Sequence, residues 1–417
     1  MIQLLLCLLL HAAPAEASEV RVLTWAQCQQ SALKSNPSLA GYRQLLEASR
    51  YSYYASRNQD LPMPSLSASH SYSRGASGSA AYTDGFSTGL SASENLFSVR
   101  SYADLKSQWK SVEKADLSLR ASLSATRKSL LTSFINLLYS QQKIDVMEDI
   151  LSIRAKSAET IELQYESGRE SYGNRLQTEA QLAQAETDLA QARLDMLTAQ
   201  RDLASNMGLD EFVALSASGT LNVPQGVDQL DIDEAAQSLL SVLTARKNME
   251  ISELALQQAG ADIFPTLSAS QSLSWQGVTE FPKERSWQLG VSLSWPIFSN
   301  GLTYMKNAKA SARSQLQKVQ ADYRAALLSA KYDLQAALAS LEVSLANVKT
   351  SKLLLAAARQ RHEEAEIQYL AGTLIYQNWQ DVEQSLVSAE QTHLTTLKSV
   401  NIARAQLDNL LNVPLGD

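Results

Sequence analysis

The sequence predicts a mainly α-helical chain that also carries membrane β-strands, with four strands per chain contributing to a β-barrel shared between copies. Three observations predict this class. The 417 residues include only 16 glycines and 9 prolines, which favours long, uninterrupted elements. The two halves of the chain repeat each other at an offset of about 201 to 204 residues. Four segments between the predicted helices alternate apolar and small polar side chains, which is typical of strands with one apolar face.

The chain starts with a predicted signal peptide, residues 1–17. An apolar run at 4–10 is followed by small residues at Ala15 and Ala17, the two positions that a signal peptidase reads. Lipoprotein cleavage before Cys7 would leave almost no apolar run ahead of the cysteine, so it is the less favoured alternative. No later run approaches the roughly 18 apolar residues of a membrane-spanning helix, so a membrane crossing would have to use strands.

Each repeat is predicted to contain a helix, two strands and a long helical hairpin, in that order. The first repeat covers residues 18–229, with a helix at 24–60, strands at 65–74 and 86–97, a hairpin at 101–207 and an equatorial segment at 208–229. The second repeat covers residues 230–417, with a helix at 231–262, strands at 266–276 and 286–296, and a hairpin at 301–411. Thr24 with Gln27, and Asp231 with Glu234, have capping-box spacing, which predicts a helix start in each repeat.

The long helices carry one row of residues with a seven-residue period. The row in the first hairpin is Leu123, Leu130, Leu137, Ile144, Leu151, Ala158 and Tyr165, and the row in the second is Leu327, Leu334, Leu341, Val348, Leu355, His362 and Tyr369. A seven-residue period makes packed helices supercoil, so each half is predicted to contain an antiparallel coiled-coil hairpin. At 1.5 Å per residue, the first long helix would measure about 96 Å and the helix that returns from the tip about 51 Å. The return helix would therefore end partway along the long one, and the equatorial segment that follows it is predicted to form a belt around the middle of a helical tube.

The last two strand segments carry the clearest alternation. Leu267, Leu273 and Trp275 alternate with serines in the third strand, and the fourth has a tryptophan at each end, Trp287 and Trp295. The strand length is close to the roughly 9 to 11 residues of tilted membrane strands, and aromatic residues favour lipid interfaces. Every backbone group within lipid needs a partner, and the smallest bacterial barrels have about eight strands. Because one chain supplies four, the barrel is expected to close only in a cyclic oligomer.

Charge and motifs argue against several other classes of protein. The net charge of −7 and the dispersed basic residues exclude a nucleic-acid partner. Cys28 is the only cysteine after the leader and has no metal-ligand pattern around it. The sequence has no Walker, GxGxxG, GxSxG or HExxH motif, and His70, His362 and His393 are isolated from one another. We therefore predict no catalytic residues, no cofactor, no metal site and no enzymatic activity.

With these features the sequence resembles the outer membrane efflux protein family, the TolC-like exit ducts of Gram-negative bacteria. The resemblance covers nearly the whole mature chain. It rests on the duplicated order of elements, on PSLSAS from Pro64 and PTLSAS from Pro265, on Leu-Phe-Ser from Leu96 and Ile-Phe-Ser from Ile297, and on glycine turns at Gly168 and Gly372. It implies a homotrimer in outer membrane lipid, with a twelve-stranded barrel that continues as a twelve-helix periplasmic tunnel. It also implies two protein partners, a periplasmic adaptor (membrane fusion protein) and an inner-membrane pump of the RND, ABC or MFS type.

The resemblance also implies candidate residues at the two hairpin tips, Tyr165 to Tyr172 and Tyr369 to Tyr376. The adaptor-contact candidates are the turn residues Gly168, Arg169, Glu170, Gly372, Thr373 and Leu374. The two glycines could equally serve only to permit a tight turn. Asn378 and Asp381 occupy the region where some members of the family narrow the periplasmic entrance of the duct.

The expected function is that of an outer-membrane exit duct in a tripartite efflux or type I secretion system, which conducts substrates passively from the pump to the exterior. The alternative is a periplasmic coiled-coil scaffold or adaptor protein without a channel. That alternative explains the helical hairpins but leaves the apolar strand faces unexplained.

Overall fold

A computed structural model describes residues 20–74, 82–210, 214–226, 230–296 and 301–416. The predicted signal peptide and the Ile-Phe-Ser segment from Ile297 lie outside the described residues. The elements in chain order are β1 (Arg21–Leu23), α1 (Trp25–Ser35), α2 (Pro37–Asn58), β2 (Met63–Arg74), β3 (Tyr82–Phe97), α3 (Val99–Glu166), α4 (Tyr172–Met207), β4 (Leu215–Ala217), α5 (Ile232–Ser238), α6 (Leu240–Ala259), a short 3₁₀ helix (Ala261–Ile263), β5 (Thr266–Gly277), β6 (Glu284–Ser294), α7 (Leu302–Leu370) and α8 (Tyr376–Leu410). The chain therefore has the predicted mainly helical class, with long helical hairpins and a small set of strands.

The first helix of each repeat is broken in two, which corrects the single helices predicted at 24–60 and 231–262. Asn36, between α1 and α2, has an extended backbone (φ −68°, ψ 118°), as expected for a residue that precedes a proline. Its side chain accepts hydrogen bonds from the backbone N–H groups of Ser38 and Leu39, at 3.0 and 3.2 Å, and so starts α2. Leu239, between α5 and α6, is likewise extended (φ −64°, ψ 137°). The capping box of Thr24 and Gln27 is present at the start of α1.

The four longer strands form one antiparallel sheet in the order β2-β3-β5-β6. The two hairpins, β2-β3 and β5-β6, meet through the pairing of β3 with β5, in which Leu90 lies opposite Leu273 and Ser91 opposite Ser272. The second strand was predicted to start at residue 86, but β3 starts at Tyr82, because the first hairpin stays paired out to Arg74 opposite Tyr82. Within the described sheet, β2 and β6 are the edge strands.

The two faces of the sheet differ in the way that the alternation predicts. Leu289, Val291 and Leu293 of β6 are each about two thirds exposed. On the other face, serines of neighbouring strands form hydrogen bonds with each other, including Ser65 with Ser91 at 2.7 Å and Ser268 with Ser292 at 2.8 Å. One face is therefore an exposed apolar surface, and the other is a polar, hydroxyl-lined surface.

A short strand, β4, lies in the segment 208–229 that was predicted to be irregular, and it forms a parallel pair with β1 from the start of the chain. β1 pairs with β4, with Val22 opposite Ser216. Two glutamines bind the backbone of β4, since Gln200 donates to the carbonyl of Leu215 at 2.7 Å and Gln141 accepts from the N–H of Ala217 at 3.1 Å. Both glutamines are helical, so this strand pair is fixed to α3 and α4 by hydrogen bonds as well as by packing.

The described residues form two compact units, and each unit contains parts of both repeats. The hairpin unit comprises the described parts of Met1–Ala40, Ala121–Ala235 and Lys331–Asp417, and the sheet unit comprises those of Gly41–Arg120 and Ala236–Ala330. The core of the hairpin unit includes Leu130, Leu137 and Leu203, and a smaller cluster of Leu46, Val112 and Ala115 lies in the sheet unit. The boundaries of the compact units do not follow those of the sequence repeats, because strands of both repeats combine into one sheet. None of the described helices has the length and apolar character of a membrane-spanning helix.

Candidate functional site

The two hairpin tips contain the same backbone turn. The N–H of Gly168 donates to the carbonyl of Tyr165 at 2.9 Å, and the N–H of Gly372 donates to that of Tyr369 at 2.9 Å. The N–H of the residue after each glycine, Arg169 or Thr373, donates to the carbonyl of the glutamine that precedes the tyrosine, Gln164 or Gln368. Both glycines have a positive φ, 74° and 76°, which a residue with a Cβ adopts only at a cost. The glycines thus end one helix of each hairpin and reverse the chain.

The six predicted adaptor-contact residues fall into two groups. Gly168, Arg169, Gly372 and Thr373 are exposed, whereas Glu170 and Leu374 are half-buried. The Glu170 carboxylate accepts hydrogen bonds from the Tyr369 hydroxyl at 2.8 Å and from the Asn174 amide at 2.6 Å. Leu374 packs against a buried aromatic cluster of the second tip. The exposed four are available to a partner, whereas Glu170 and Leu374 contact other parts of the tips.

The aromatic cluster joins the second tip to the first. Tyr369 and Trp379 are stacked, with ring centroids 4.5 Å apart and planes 3° apart, and Ile161 of α3 packs beside them. The Tyr376 hydroxyl lies 2.9 Å from that of Thr178 on α4. Burial and the hydrogen bond to Glu170 raise the pKa of Tyr369, so its hydroxyl stays protonated and donates to the carboxylate. The two hairpins are therefore linked near their tips by packing and by hydrogen bonds.

A buried ion pair connects α3 of the first hairpin with α8 of the second. An Arg154 nitrogen lies 2.7 Å from a Glu383 oxygen, and only 5% and 1% of these residues are exposed. Ser157 donates to the second Glu383 oxygen at 2.8 Å, and the other Arg154 nitrogen donates to Gln384 at 2.7 Å. Burial raises the pKa of Glu383, and Arg154 and Ser157 oppose that effect. The pair is enclosed and hydrogen-bonded on both sides, so breaking it would leave a charge without a partner.

Neither member of this pair stands out in the sequence as a candidate site residue. A signal was present, however, because Tyr376, Trp379, Glu383 and Leu386 are spaced by three or four residues, which places Glu383 on the same face of α8 as three apolar side chains. A glutamate on a core stripe is rarely unpaired, so this position predicts a buried basic partner. The sequence does not indicate which arginine or lysine that partner is.

The two predicted entrance residues lie on an exposed face of α8. Asn378 and Asp381 are exposed, whereas their neighbours Trp379 and Glu383 are buried. The structure thus places Asn378 and Asp381 together on one exposed face of the helix and away from the ion pair. The described residues contain no group of three or more His, Cys, Asp or Glu side chains that could hold a metal ion.

Comparison with known proteins identifies relatives over almost the whole chain. A family model described as outer membrane efflux protein matches residues 29–209 and 232–413. A comparison with curated protein sequences gave no match.

Solved structures of outer membrane proteins have the same fold. The open state of the MtrE outer membrane channel of Neisseria gonorrhoeae is 20% identical, with a TM-score of 0.81, over 93% of this chain and 88% of that chain. The outer membrane protein VceC of Vibrio cholerae is 16% identical, with a TM-score of 0.79, over 92% of this chain and 95% of that one. The CmeC outer membrane channel of Campylobacter jejuni is 14% identical, with a TM-score of 0.80, over 94% and 86%.

The family model and the internal duplication agree, because the two matched stretches correspond to the two sequence repeats. The identities to the solved structures are low, so those comparisons support the fold. The family model covers most of the chain, and its description supports outer-membrane efflux. The chain therefore belongs to the outer membrane efflux protein family, and it is an outer-membrane transport protein.

Proposed function

We propose that this chain is the exit duct of a tripartite efflux or type I secretion system and that it works as a homotrimer. In this proposal a periplasmic adaptor contacts the hairpin tips, and an inner-membrane pump of the RND, ABC or MFS type supplies the substrate. The observation that carries the proposal is the sheet, which has an exposed apolar face, a hydroxyl-lined face and two edges without a partner in the described chain. A periplasmic scaffold would have no use for such a face.

The apolar face suits a bacterial outer membrane. Trp287 and Trp295 flank the row of Leu289, Val291 and Leu293 on β6, and all five side chains are exposed. At about 3.3 Å per residue, the two tryptophans are separated by about 26 Å along the strand. Tilt shortens that to roughly 20 Å, which is close to the apolar band of about 25 Å in outer-membrane barrels. The serine-rich face would then line a water-filled interior.

The unpaired edges account for the oligomer. A sheet in lipid must close to satisfy its backbone groups, and four strands are too few to do so alone. The internal repeat relates β3 to β6 and β2 to β5 at an offset of 201 residues. The pairing of β3 with β5 is therefore the template for pairing β6 of one copy with β2 of the next. Since Ser91 lies opposite Ser272, Ser292 is expected opposite Ser71 of the adjacent copy.

The variant with Ser71→Cys and Ser292→Cys is expected to form disulfides between copies. On mild oxidation of cells, denaturing electrophoresis should show covalently linked dimers and trimers. In the control, Ser71→Cys is combined with Ser286→Cys, which lies six residues, or about 20 Å, from position 292 along β6. The two cysteines of the control are too far apart to form a disulfide, so its chains should stay unlinked. Equal linking in both variants, or none in an intact oligomer, would contradict the register.

The duct is proposed to conduct passively. The sequence has no nucleotide-binding motif, so the energy for transport has to come from the pump. The linked hairpins would keep the periplasmic end closed, with Asn378 and Asp381 at the entrance, until the adaptor draws the hairpins apart. Such an opening is a shift between two packings of one coiled coil, and the adaptor would favour the open one by binding it more tightly.

The exposed tip residues test the adaptor contact. Cysteines introduced by Arg169→Cys and Thr373→Cys, one at each tip, are expected to cross-link to a periplasmic adaptor when cells are treated with a short bifunctional reagent. Thr187→Cys is the matched control, because Thr187 is exposed on α4 several turns from the tip. Mass spectrometry of the linked products identifies the partner. If only the Thr187 variant linked to an adaptor, the tips would not be the contact.

A further inference from the structure

The exposed apolar row of β6, from Trp287 to Leu293, is preceded in the chain by two basic residues, Arg285 and Lys283. Arg285 lies opposite Trp275 in the pairing of β5 with β6, and Trp287 lies opposite Leu273, so all four side chains share the apolar face. Lys283 precedes Arg285 by two residues, just before β6 begins. Read outward, the order along the row is aliphatic, aromatic and guanidinium, and the ammonium of Lys283 follows in the chain just beyond the strand.

Both cations are available to a ligand. Lys283 and Arg285 are exposed, and neither forms an ion pair within the described residues. The neighbouring acid Glu284 alternates to the other face of β6. This end of the sheet carries the hairpin turns, whereas the helices join the opposite end, because β6 leads to α7 at its other end.

We propose that Lys283 and Arg285, with Trp275 and Trp287, form a binding surface for the phosphate groups of lipids in the outer leaflet of the outer membrane. This inference rests on the proposed function, in which the apolar face contacts lipid and the hairpin turns face the cell exterior. The order of side chains along the row matches the order of a leaflet from hydrocarbon to interface to headgroup. Successive side chains on one face of a strand are about 7 Å apart, so Arg285 lies about 7 Å beyond Trp287. With Trp287 at the interface, that distance brings Arg285, and Lys283 after it, to the level of the headgroup phosphates.

The surroundings favour a lipid over a free phosphate ion. Arginine binds phosphate through two parallel hydrogen bonds, and lysine adds a second positive charge. Neither side chain lies in a cleft that would exclude water, so a small free anion would gain little from them. A lipid phosphate is held next to them by acyl chains packed on the aliphatic part of the same row, which raises its effective concentration.

The test uses native mass spectrometry of the detergent-solubilised oligomer titrated with lipid A that carries two phosphates, or with the same lipid after removal of its phosphates. The wild-type protein is expected to retain the phosphorylated form about thirtyfold more strongly, because two basic residues near an anionic lipid surface contribute about 1 kcal/mol each and every 1.4 kcal/mol is a factor of ten. The variant with Lys283→Ser and Arg285→Ser should lose that preference. The control with Lys306→Ser and Lys309→Ser removes two exposed charges from α7 and should keep it.

The outcomes separate this inference from the proposed function. An inserted, oligomeric Lys283→Ser and Arg285→Ser variant that keeps the full preference would overturn the inference and leave the duct intact. Complete displacement of lipid A by excess inorganic phosphate would also overturn it, since the surface would then be a site for a free anion. A wild-type protein that extracts without detergent would instead refute the duct.

Discussion

Arg154→Ala is expected to destabilise the packing of α3 against α8 by about 3–5 kcal/mol, because it leaves Glu383 buried without its partner. Glu383 is enclosed by both hairpins and keeps only the hydrogen bond from Ser157, which cannot neutralise a carboxylate. Since this pair holds the hairpins together near their tips, loss of the pair should also allow the two hairpins to separate and the periplasmic end of the duct to open. We expect the hairpin unit to unfold at a lower denaturant concentration. In planar bilayers, we expect stepwise openings at least about tenfold more frequent than in the wild-type protein.

A double variant tests whether the unpaired charge of Glu383 causes the loss of stability. Replacing both members, with Arg154→Met and Glu383→Leu, removes both buried charges and keeps most of the volume, so stability should return to about that of the wild-type protein. Closure of the tips should return with it. If the Arg154→Ala protein were as stable and as closed as the wild type, the ion pair would not hold the hairpins together. If the double variant were as unstable as the single one, loss of the ion pair itself, and not an unpaired charge on Glu383, would be the cause.

Val291→Arg is expected to prevent stable insertion into the outer membrane. Val291 is central in the exposed row of β6, and an arginine on the lipid face near the midplane of a barrel costs about 2–4 kcal/mol. The cost is repeated in every copy of a cyclic oligomer. The variant should be depleted from the outer-membrane fraction, and its oligomer should dissociate at a lower temperature on electrophoresis.

The neighbouring position provides the matched control. Ser292 lies on the hydroxyl-lined face, where its side chain bonds to that of Ser268. Ser292→Arg introduces the same charge one residue away and should insert normally, while changing the conductance of the channel. Equal insertion of both arginine variants would mean that the apolar row does not face lipid, and the proposed duct would then be wrong.

Much of the fold follows from short-range patterns in the sequence. A seven-residue period predicts a coiled-coil hairpin, and a two-residue period predicts a strand with two different faces, because each depends only on backbone geometry within a few turns. The break at Asn36 was also readable, since Pro37 follows it. The break at Leu239 carried no comparable signal, because no side chain caps α6 there. β4 was missed because three residues are too few to show a period.

The candidate site was only partly predictable. The glycine turns were found because a left-handed backbone position strongly prefers glycine. The partners of the turn residues were not found, because Tyr369 and Glu170 are 199 positions apart in the chain. The same holds for Arg154 and Glu383, which are 229 positions apart.

The sequence by itself determined where the long helices and the four longer strands lie, which face of those strands is apolar, and that the chain is duplicated. The tertiary structure alone decided that β3 pairs with β5, that Arg154 is the partner of Glu383, and that each compact unit combines both repeats. The physical reason is that periodicity shows which side chains of one helix or strand must be buried or must have an oppositely charged partner. Which distant residue meets that need depends on how the elements pack, and packing is settled only when all of them are in place.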